Sequence, residues 1–185
     1  MFPEVNVILE YFLKNPTTTI HLRELARKTN FSSAGCSKSL KSLLKKGFIE
    51  CHKTKAVSNY KAALNSKFLQ LKKIYNIYSL YDSGLIDFLK EKYQFPEAII
   101  IFGSYPKGED TEKSDLDIAV ITRLEKNLDF SLFEKKLQRK INLLELKNLE
   151  KAKKEFINNL INGIVLYGVI QIWSCHLINI WKMEK

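Results

Sequence analysis

Hydrophobic residues near the start of the chain recur at the spacing of short amphipathic helices. The pattern predicts one helix over residues 4–14 and a second over residues 20–30, each with its apolar side chains on one face. Ser32 or Ser33 can cap a third helix, because a serine hydroxyl accepts a hydrogen bond from a free backbone N–H at a helix start. Gly47 ends that helix, since glycine readily adopts the left-handed conformation that closes helices.

Two short strands are predicted after the third helix, at residues 48–53 and 57–62. A helix, a helix-turn-helix and then a β-hairpin is the order of a winged helix-turn-helix, and residues 22–49 resemble prokaryotic regulators of that family. The resemblance implies that the third helix enters the major groove of DNA and that the hairpin contacts the phosphate backbone. The DNA-binding candidates are Ser32, Ser33, Ser37, Lys38 and Lys41 in the third helix and Lys53 and Lys55 in the hairpin.

Apolar residues continue at helical spacing from residue 67 to residue 93, with a predicted break at Gly84. We interpret residues 67–94 as a helical connector that ends before Pro96. Winged-helix regulators often dimerise through additional helices, so the resemblance makes a homodimer one expectation for this chain.

A second module begins with an apolar strand at residues 98–102, which runs directly into Gly103 and Ser104; a ten-residue spacer then leads to Asp115 and Asp117. Alternation along a strand places the two aspartates on one face. Adjacent carboxylates repel each other without a cation, and hard oxygen ligands suit Mg²⁺ that is shared with substrate phosphates. Gly103 allows a tight turn against a ligand, and a helix predicted after Ser104 presents free N–H groups to a phosphate.

This combination of strand, Gly-Ser, spacer and Asp-x-Asp resembles the polymerase-β-like nucleotidyltransferase superfamily over residues 95–168. The resemblance implies transfer of a nucleotidyl group from a nucleoside triphosphate, expected to be ATP, to a hydroxyl on a protein or an RNA. It implies that Gly103 and Ser104 hold the triphosphate. It also implies that Asp115 and Asp117 are the catalytic residues and hold two Mg²⁺ ions, which stabilise the attacking and leaving oxygens of an in-line displacement.

One position departs from the pattern of that superfamily. Active members have a third carboxylate on a later strand, and the matching run at residues 140–146 has Asn142 at that position. Asparagine is neutral, is a weak metal ligand and cannot act as a general base. Glu145 follows three residues later, which on a strand is the opposite face. Transferase activity is the leading hypothesis.

The net charge differs between the two predicted modules. The net charge of the 185 residues is +10, of which residues 1–93 contribute +9 and residues 94–185 contribute +1. A basic half suits a phosphate polymer, and the winged-helix resemblance makes double-stranded DNA the expected partner. Winged helices also serve as dimerisation or protein-docking modules, so that alternative stays open.

Composition indicates a reducing cytoplasm. The three cysteines have no metal-type spacing, and the N-terminus lacks the charged and apolar regions of a signal peptide. Residues 161–181 contain no Asp, Glu, Lys or Arg, but their polar side chains are costly in lipid, so no membrane anchor is expected. The pattern does not fix what residues 169–185 pack against.

Together these observations predict an α+β protein in three parts. A winged helix-turn-helix occupies residues 1–66, the helical connector follows, and a nucleotidyltransferase-like mixed sheet with flanking helices occupies residues 95–185. The leading function is Mg²⁺-dependent nucleotidyl transfer by a DNA-binding protein. The alternative is a DNA-binding transcription regulator whose degenerate second domain senses a nucleotide without turnover.

Overall fold

The computed structural model describes residues 6–53, 58–147 and 154–170. Lys55, one of the DNA-binding candidates, lies outside these ranges. The N-terminal part of the described chain consists of α1 (Val7–Lys14), β1 (Ile20–His21), α2 (Leu22–Thr29), α3 (Ser33–Lys46), β2 (Ile49–Lys53) and β3 (Ser58–Ala62). The winged helix-turn-helix order predicted from the sequence is therefore confirmed.

The ends of α3 are fixed by the residues that the sequence indicated. The Ser32 hydroxyl accepts a hydrogen bond from the Gly35 N–H at 3.1 Å and so caps the helix. Gly47 closes it in a left-handed conformation with φ of 73°. Leu40 and Leu43 are buried on the inner face of α3, which leaves the opposite face of the helix in solvent.

The prediction that the second helix starts at Ile20 is wrong. Ile20 and His21 form β1, which pairs antiparallel with β3 and places Ile20 opposite Tyr60. α2 begins only at Leu22. A two-residue strand has no periodicity of its own and exists because β3 offers it an edge, which makes a small sheet in the order β1-β3-β2.

The connector consists of α4 (Ser66–Ser83) and α5 (Leu85–Lys92), which Gly84 separates with φ of 81°. Phe68 and Tyr75 of α4 are buried among the side chains of the winged helix, whereas Leu80 is buried in the core of the second module. α4 therefore joins the two modules through side chains that belong to each core.

The second module contains a four-stranded mixed sheet in the order β6-β5-β4-β7. Its elements are β4 (Ala98–Phe102), β5 (Leu116–Ile121), α6 (Ser131–Leu137), β6 (Ile141–Leu146), α7 (Lys154–Ile161) and β7 (Ile164–Gly168). β5 runs parallel to β6, while β4 is antiparallel to both β5 and β7. One face of β5, including Ile118, packs against α5 and α6, and the other, including Ala119, packs against α7. The α+β class is confirmed.

The helix predicted after Ser104 is wrong, because the chain forms only one 3₁₀ turn there, Tyr105–Lys107. Gly108 ends this turn with φ of 75°, and a Cβ on it would lie 2.6 Å from the carbonyl oxygen of Leu69 in α4. This close packing against α4 is the physical reason that the chain turns away instead of continuing as a helix.

Among the described residues, no helix combines the length and the apolar character needed to cross a bilayer. Most of the uncharged stretch at residues 161–181 lies outside the described ranges.

Candidate functional site

The two aspartates lie at the start of β5, beside an asparagine from the neighbouring parallel strand. Asp117 is in register with Asn142 of β6. The Asn142 Nδ2 atom donates to Asp117 Oδ1 at 3.1 Å and to Asp115 Oδ2 at 3.3 Å. Asp115 and Asn142 are exposed and Asp117 is half-buried, so a ligand can reach these three residues. We call Asp115, Asp117 and Asn142 the carboxylate cluster.

Gly103 lies at the end of β4, directly against the carboxylate cluster. Its φ is 78°, and a Cβ on it would lie 2.7 Å from Asp117 Oδ2. The positive φ favours glycine, because other residues rarely adopt this conformation, and an added Cβ would force the Asp117 carboxylate to shift. The preceding residue, Phe102, pairs with Asp117 across β4 and β5. The sheet thus brings together two candidates that lie far apart in sequence.

Ser104, the second triphosphate candidate, is half-buried at the start of the 3₁₀ turn. Its carbonyl oxygen accepts hydrogen bonds from the N–H groups of Lys107 and Glu109, both at 3.2 Å. These bonds fold the chain back on itself immediately after Gly103. The role of Ser104 in holding a triphosphate stays a prediction.

Glu145 faces away from the carboxylate cluster, as strand alternation indicates. It is in register with Val120, and its carboxylate accepts hydrogen bonds from the Tyr93 hydroxyl and from the Lys126 N–H. Burial, together with the Glu145 carboxylate, raises the pKa of Tyr93 above its usual value. The Tyr93 hydroxyl therefore stays protonated and donates to Glu145, which holds Glu145 away from the carboxylate cluster.

The oxygen donors of the carboxylate cluster suit Mg²⁺. Asp115 and Asp117 supply carboxylates, and turning over the Asn142 amide presents its Oδ1 atom to the same point. Within the described ranges, no group of three His, Cys, Asp or Glu side chains could hold a metal. Two carboxylates and one amide oxygen leave coordination positions that phosphates and water would fill, which is the usual manner of Mg²⁺ binding.

A buried polar cluster that sequence reasoning missed lies under the spacer between Ser104 and Asp115. The carboxylate of Asp110 accepts hydrogen bonds from Lys72 Nζ at 2.6 Å, Asn76 Nδ2 at 2.6 Å and Arg139 Nη2 at 3.1 Å. Burial lowers the pKa of Lys72, and the Asp110 carboxylate counteracts part of that effect. No local pattern indicates this cluster, because each partner is 29 to 38 residues from Asp110 in sequence.

Most of the described DNA-binding candidates are exposed to solvent. Ser33, Lys38 and Lys41 are exposed on α3, and Lys53 is exposed at the end of β2. Ser32 is also exposed, although its hydroxyl is occupied by the helix cap, and Ser37 is half-buried.

Two arginines that are absent from the predicted set lie next to these residues. Arg23 and Arg27 of α2 are exposed and line a hollow of about 720 Å³ together with Ser32 and Ser33. Their spacing of four residues, on the helix face away from the buried Leu25, is the signal that could have identified them. Arginine suits phosphate because its planar fork can donate two parallel hydrogen bonds.

Comparison with known proteins agrees with both modules. Residues 84–169 match the polymerase beta nucleotidyltransferase family, and residues 7–50 match a winged helix-turn-helix DNA-binding family. The first match begins at residue 84 and so includes α5. No curated protein matches the chain.

Among solved structures, the chain is similar to the adhesin competence repressor of Streptococcus pyogenes. The sequence identity is 16%, the aligned part covers 48% of this chain and 67% of the repressor, and the TM-score is 0.38. That score is too low to carry an argument, so the assignment rests on the two family matches.

The two family matches coincide with the two modules of the fold, the winged helix-turn-helix and the mixed sheet with its flanking helices. The chain carries a polymerase beta nucleotidyltransferase domain preceded by a winged helix-turn-helix DNA-binding domain. The fusion predicted from the sequence is confirmed.

Proposed function

We propose that the protein is a DNA-binding nucleotidyltransferase of the cytoplasm. It transfers a nucleoside monophosphate from a nucleoside triphosphate, preferably ATP, to a hydroxyl of a protein or an RNA. The observation that supports this best is the packing of Gly103, with φ of 78°, against Asp117, where an added Cβ would lie 2.7 Å from Oδ2 and displace the carboxylate. A glycine held in this way keeps the backbone open beside two carboxylates, which is where a metal-bound triphosphate would lie.

Asp115 and Asp117 would hold Mg²⁺, which when bound neutralises phosphate charge. Gly103 and Ser104 would hold the triphosphate, since Gly103 removes the side chain that would keep phosphate oxygens away from the backbone. In the transfer, the acceptor oxygen attacks the α-phosphorus, the bond from that phosphorus to the bridging oxygen breaks, and pyrophosphate leaves. The part of these residues is to hold and align the reacting groups.

The acceptor hydroxyl must also lose a proton, and here the site is poorly equipped. The Asn142 amide cannot accept a proton, and Glu145 is bonded to Tyr93 on the other face of the sheet. Asp115 and Asp117 are the only bases of the carboxylate cluster. We therefore expect transfer to be slow. We also expect the site to bind one metal ion more readily than the two ions that the family resemblance implies.

A second candidate function follows from the same asparagine. Because Asp115 and Asp117 keep two carboxylates while Asn142 cannot act as a base, binding of a magnesium–nucleotide complex can persist where transfer has been lost. The protein would then be a transcription regulator that binds DNA through α3 and the wing and responds to a nucleotide without turnover. In either case Lys38 and Lys41, which are exposed on α3, would face DNA, and a homodimer would present two such surfaces.

Transfer is tested with ATP that carries a ³²P label at the α-phosphate. The purified protein is incubated with this ATP and Mg²⁺ in the presence of bulk transfer RNA or a protein extract. Label on an acceptor with the wild type, and none with Asp115→Ala, supports transfer. Equal labelling by both proteins contradicts it, and nucleotide binding without any labelling selects the regulator instead.

DNA binding is tested by the mobility of a labelled duplex across a salt series. Counterion release makes phosphate-driven binding strongest at low salt. Retardation that weakens as salt rises supports the proposal, and no retardation at the lowest salt excludes DNA as the partner. Sedimentation of the same sample reports whether the protein is a dimer.

A further inference from the structure

We propose that residues 105–114, which we call the spacer, couple nucleotide binding to DNA binding, and that Glu112 transmits the change. The inference rests on the proposed function, because it needs a nucleotide at the carboxylate cluster and DNA at α3. It adds a physical route between them. The spacer begins and ends at the nucleotide-binding candidates, and its middle contacts the winged helix.

Glu112 makes the direct contact with the DNA-binding domain. Its carboxylate accepts hydrogen bonds from the Thr17 hydroxyl at 2.6 Å and from the Thr18 hydroxyl at 3.0 Å. These threonines lie between α1 and β1, and β1 pairs with the wing strand β3 and leads directly into α2. A displacement of Glu112 therefore acts on the segment that joins the first helix to the helix-turn-helix.

The spacer can transmit a displacement because one of its points is fixed. Asp110 is held by Lys72 and Asn76 of α4, in a cluster with almost no solvent exposure. Beyond it, Thr111 and Ser114 form a tight turn in which the Ser114 hydroxyl accepts from the Thr111 N–H at 2.9 Å. This turn lies between Asp110, which is fixed, and Asp115. A shift of Asp115 therefore moves the turn together with Glu112, which lies within it.

A second connection runs from the other strand of the site. Arg139 precedes β6, the strand that carries Asn142, by two residues. Its Nη2 atom donates both to Asp110 Oδ2 at 3.1 Å and to the carbonyl oxygen of Lys14 at 2.9 Å. Lys14 is the last residue of α1. Each strand that contributes to the carboxylate cluster is thus preceded by a residue bonded to the winged helix.

These contacts support coupling of a measurable size. If a nucleotide changes the affinity for DNA, then DNA changes the affinity for the nucleotide by the same factor, and known couplings range from about 5-fold to about 150-fold. We expect magnesium and a non-hydrolysable ATP analogue to change the dissociation constant for DNA by at least about fivefold, the lower end of that range.

The experiment measures the affinity of the full-length protein for a fluorescent duplex, with and without the magnesium–ATP analogue. The wild type is compared with Glu112→Gln and with Glu109→Gln. Glu109 is exposed on the same spacer, and its side chain has no hydrogen bond or ion pair among the described residues, so it controls for the loss of one negative charge. Asp117→Asn controls for direct competition between the nucleotide and DNA. A Thr17→Val, Thr18→Val double variant removes the same contact from the other side.

The proposal is supported if the wild type and Glu109→Gln show the change in DNA affinity, while Glu112→Gln and the threonine variant lose it but still bind the nucleotide. It is overturned if Glu112→Gln keeps the coupling, if the wild type binds both ligands independently, or if Asp117→Asn shows the same effect. A wild type that binds no nucleotide or no DNA contradicts the proposed function itself. Separate binding measurements for each ligand distinguish that failure from a failure of coupling.

Discussion

The Lys72 ammonium lies 2.6 Å from the Asp110 carboxylate, and neither side chain is more than 1% exposed. Arg139 completes the arrangement at 3.1 Å with a side chain that is 4% exposed. Two cations thus share one buried carboxylate where α4, the spacer and the start of β6 meet. An ion pair of this kind adds little to stability over an apolar pair, but removing one partner leaves a buried charge without compensation.

We therefore predict that Asp110→Asn is strongly destabilising. Breaking a buried pair costs about 3–5 kcal/mol of unfolding free energy, and here both Lys72 and Arg139 lose their partner. Urea denaturation of the variant and the wild type measures the loss. Asp87→Asn is the matched control, because the Asp87–Lys90 pair is exposed and such pairs contribute about 0–1 kcal/mol. Similar losses for the two variants would contradict the buried-pair explanation.

The contact of Glu112 with the winged helix should depend on pH. Burial raises the pKa of Glu112, but the hydrogen bonds from Thr17 and Thr18 outweigh it and lower the pKa below its ordinary value of 4.5. Its stabilising effect is therefore complete above that value and is lost as pH falls through the lower pKa of the folded protein. The unfolding free energy of the wild type should exceed that of Glu112→Gln at neutral pH, and the difference should disappear under acid conditions.

The comparison of the wild type with Glu112→Gln also tests whether the ionised carboxylate of Glu112 is responsible for the effect. Other carboxylates, including Glu10, whose pKa is lowered mainly by Lys14 and Tyr75 against the opposing effect of burial, also change with acid. They are present in both proteins and cancel in the difference. A difference that stays constant across the acid range would show that the contact does not depend on ionised Glu112.

Local signals were sufficient to predict the winged helix and the carboxylate cluster. Helical spacing, the Ser32 cap and Gly47 define α3, and strand alternation defines the common face of Asp115 and Asp117. The position of Asn142 was implied by the family resemblance, and the parallel register of β5 and β6 does place it beside Asp117. Each of these features is set by residues within one element or by one strand pairing.

Features set by distant contacts were not predictable. β1 forms only because β3 lies beside it, and the turn after Ser104 stays short because Gly108 packs against the backbone of α4. Asp110 lies in a polar stretch that reads as a solvated loop, and only the fold shows that it is buried. The family resemblance implied helices flanking the sheet, but no local pattern predicted the bounds of α6 and α7.

Lys41 should contribute to DNA affinity through charge. It is exposed on the outer face of α3, so Lys41→Ala should leave stability unchanged while weakening binding to all sequences. Loss of one phosphate contact reduces the slope of log affinity against log salt by about 1. Fluorescence anisotropy across a salt series measures this slope. Lys135→Ala, an exposed lysine on α6, is the control, and an equal effect there would indicate only a general dependence on net charge.

Gly103→Ala should disable nucleotide binding without unfolding the protein. The left-handed conformation costs an alanine about 1–2 kcal/mol, and its Cβ would also displace the Asp117 carboxylate. Gly47→Ala has the same conformational penalty, with φ of 73°, but no atom within 4 Å of the added Cβ. Both variants should lose similar stability, whereas only Gly103→Ala should lose affinity for the magnesium–ATP analogue, by about tenfold for each 1.4 kcal/mol of binding free energy lost. Equal nucleotide affinities in calorimetry would refute the role of Gly103.

The Asn142→Asp variant tests how the site is affected by having asparagine where the family pattern has a carboxylate. In the wild type the amide donates to Asp117 at 3.1 Å and to Asp115 at 3.3 Å, so it relieves the repulsion between the two carboxylates. A third carboxylate would remove these hydrogen bonds and add a like charge. We therefore expect the variant to be less stable than the wild type in a chelator, and to gain more in melting temperature when Mg²⁺ is added.

The added ligand charge should also raise the affinity for Mg²⁺, on the order of tenfold, since affinity for hard cations follows the number of charged ligands. Because an aspartate can also accept the proton of an acceptor hydroxyl, transfer of label from ATP should increase in the same variant. Glu145→Gln is the control, since Glu145 bonds to Tyr93 on the opposite face and should not alter the response to Mg²⁺. If Asn142→Asp responds to Mg²⁺ no more than the wild type does, then Asp115 and Asp117 do not form a metal site, and the nucleotide must be held by other residues.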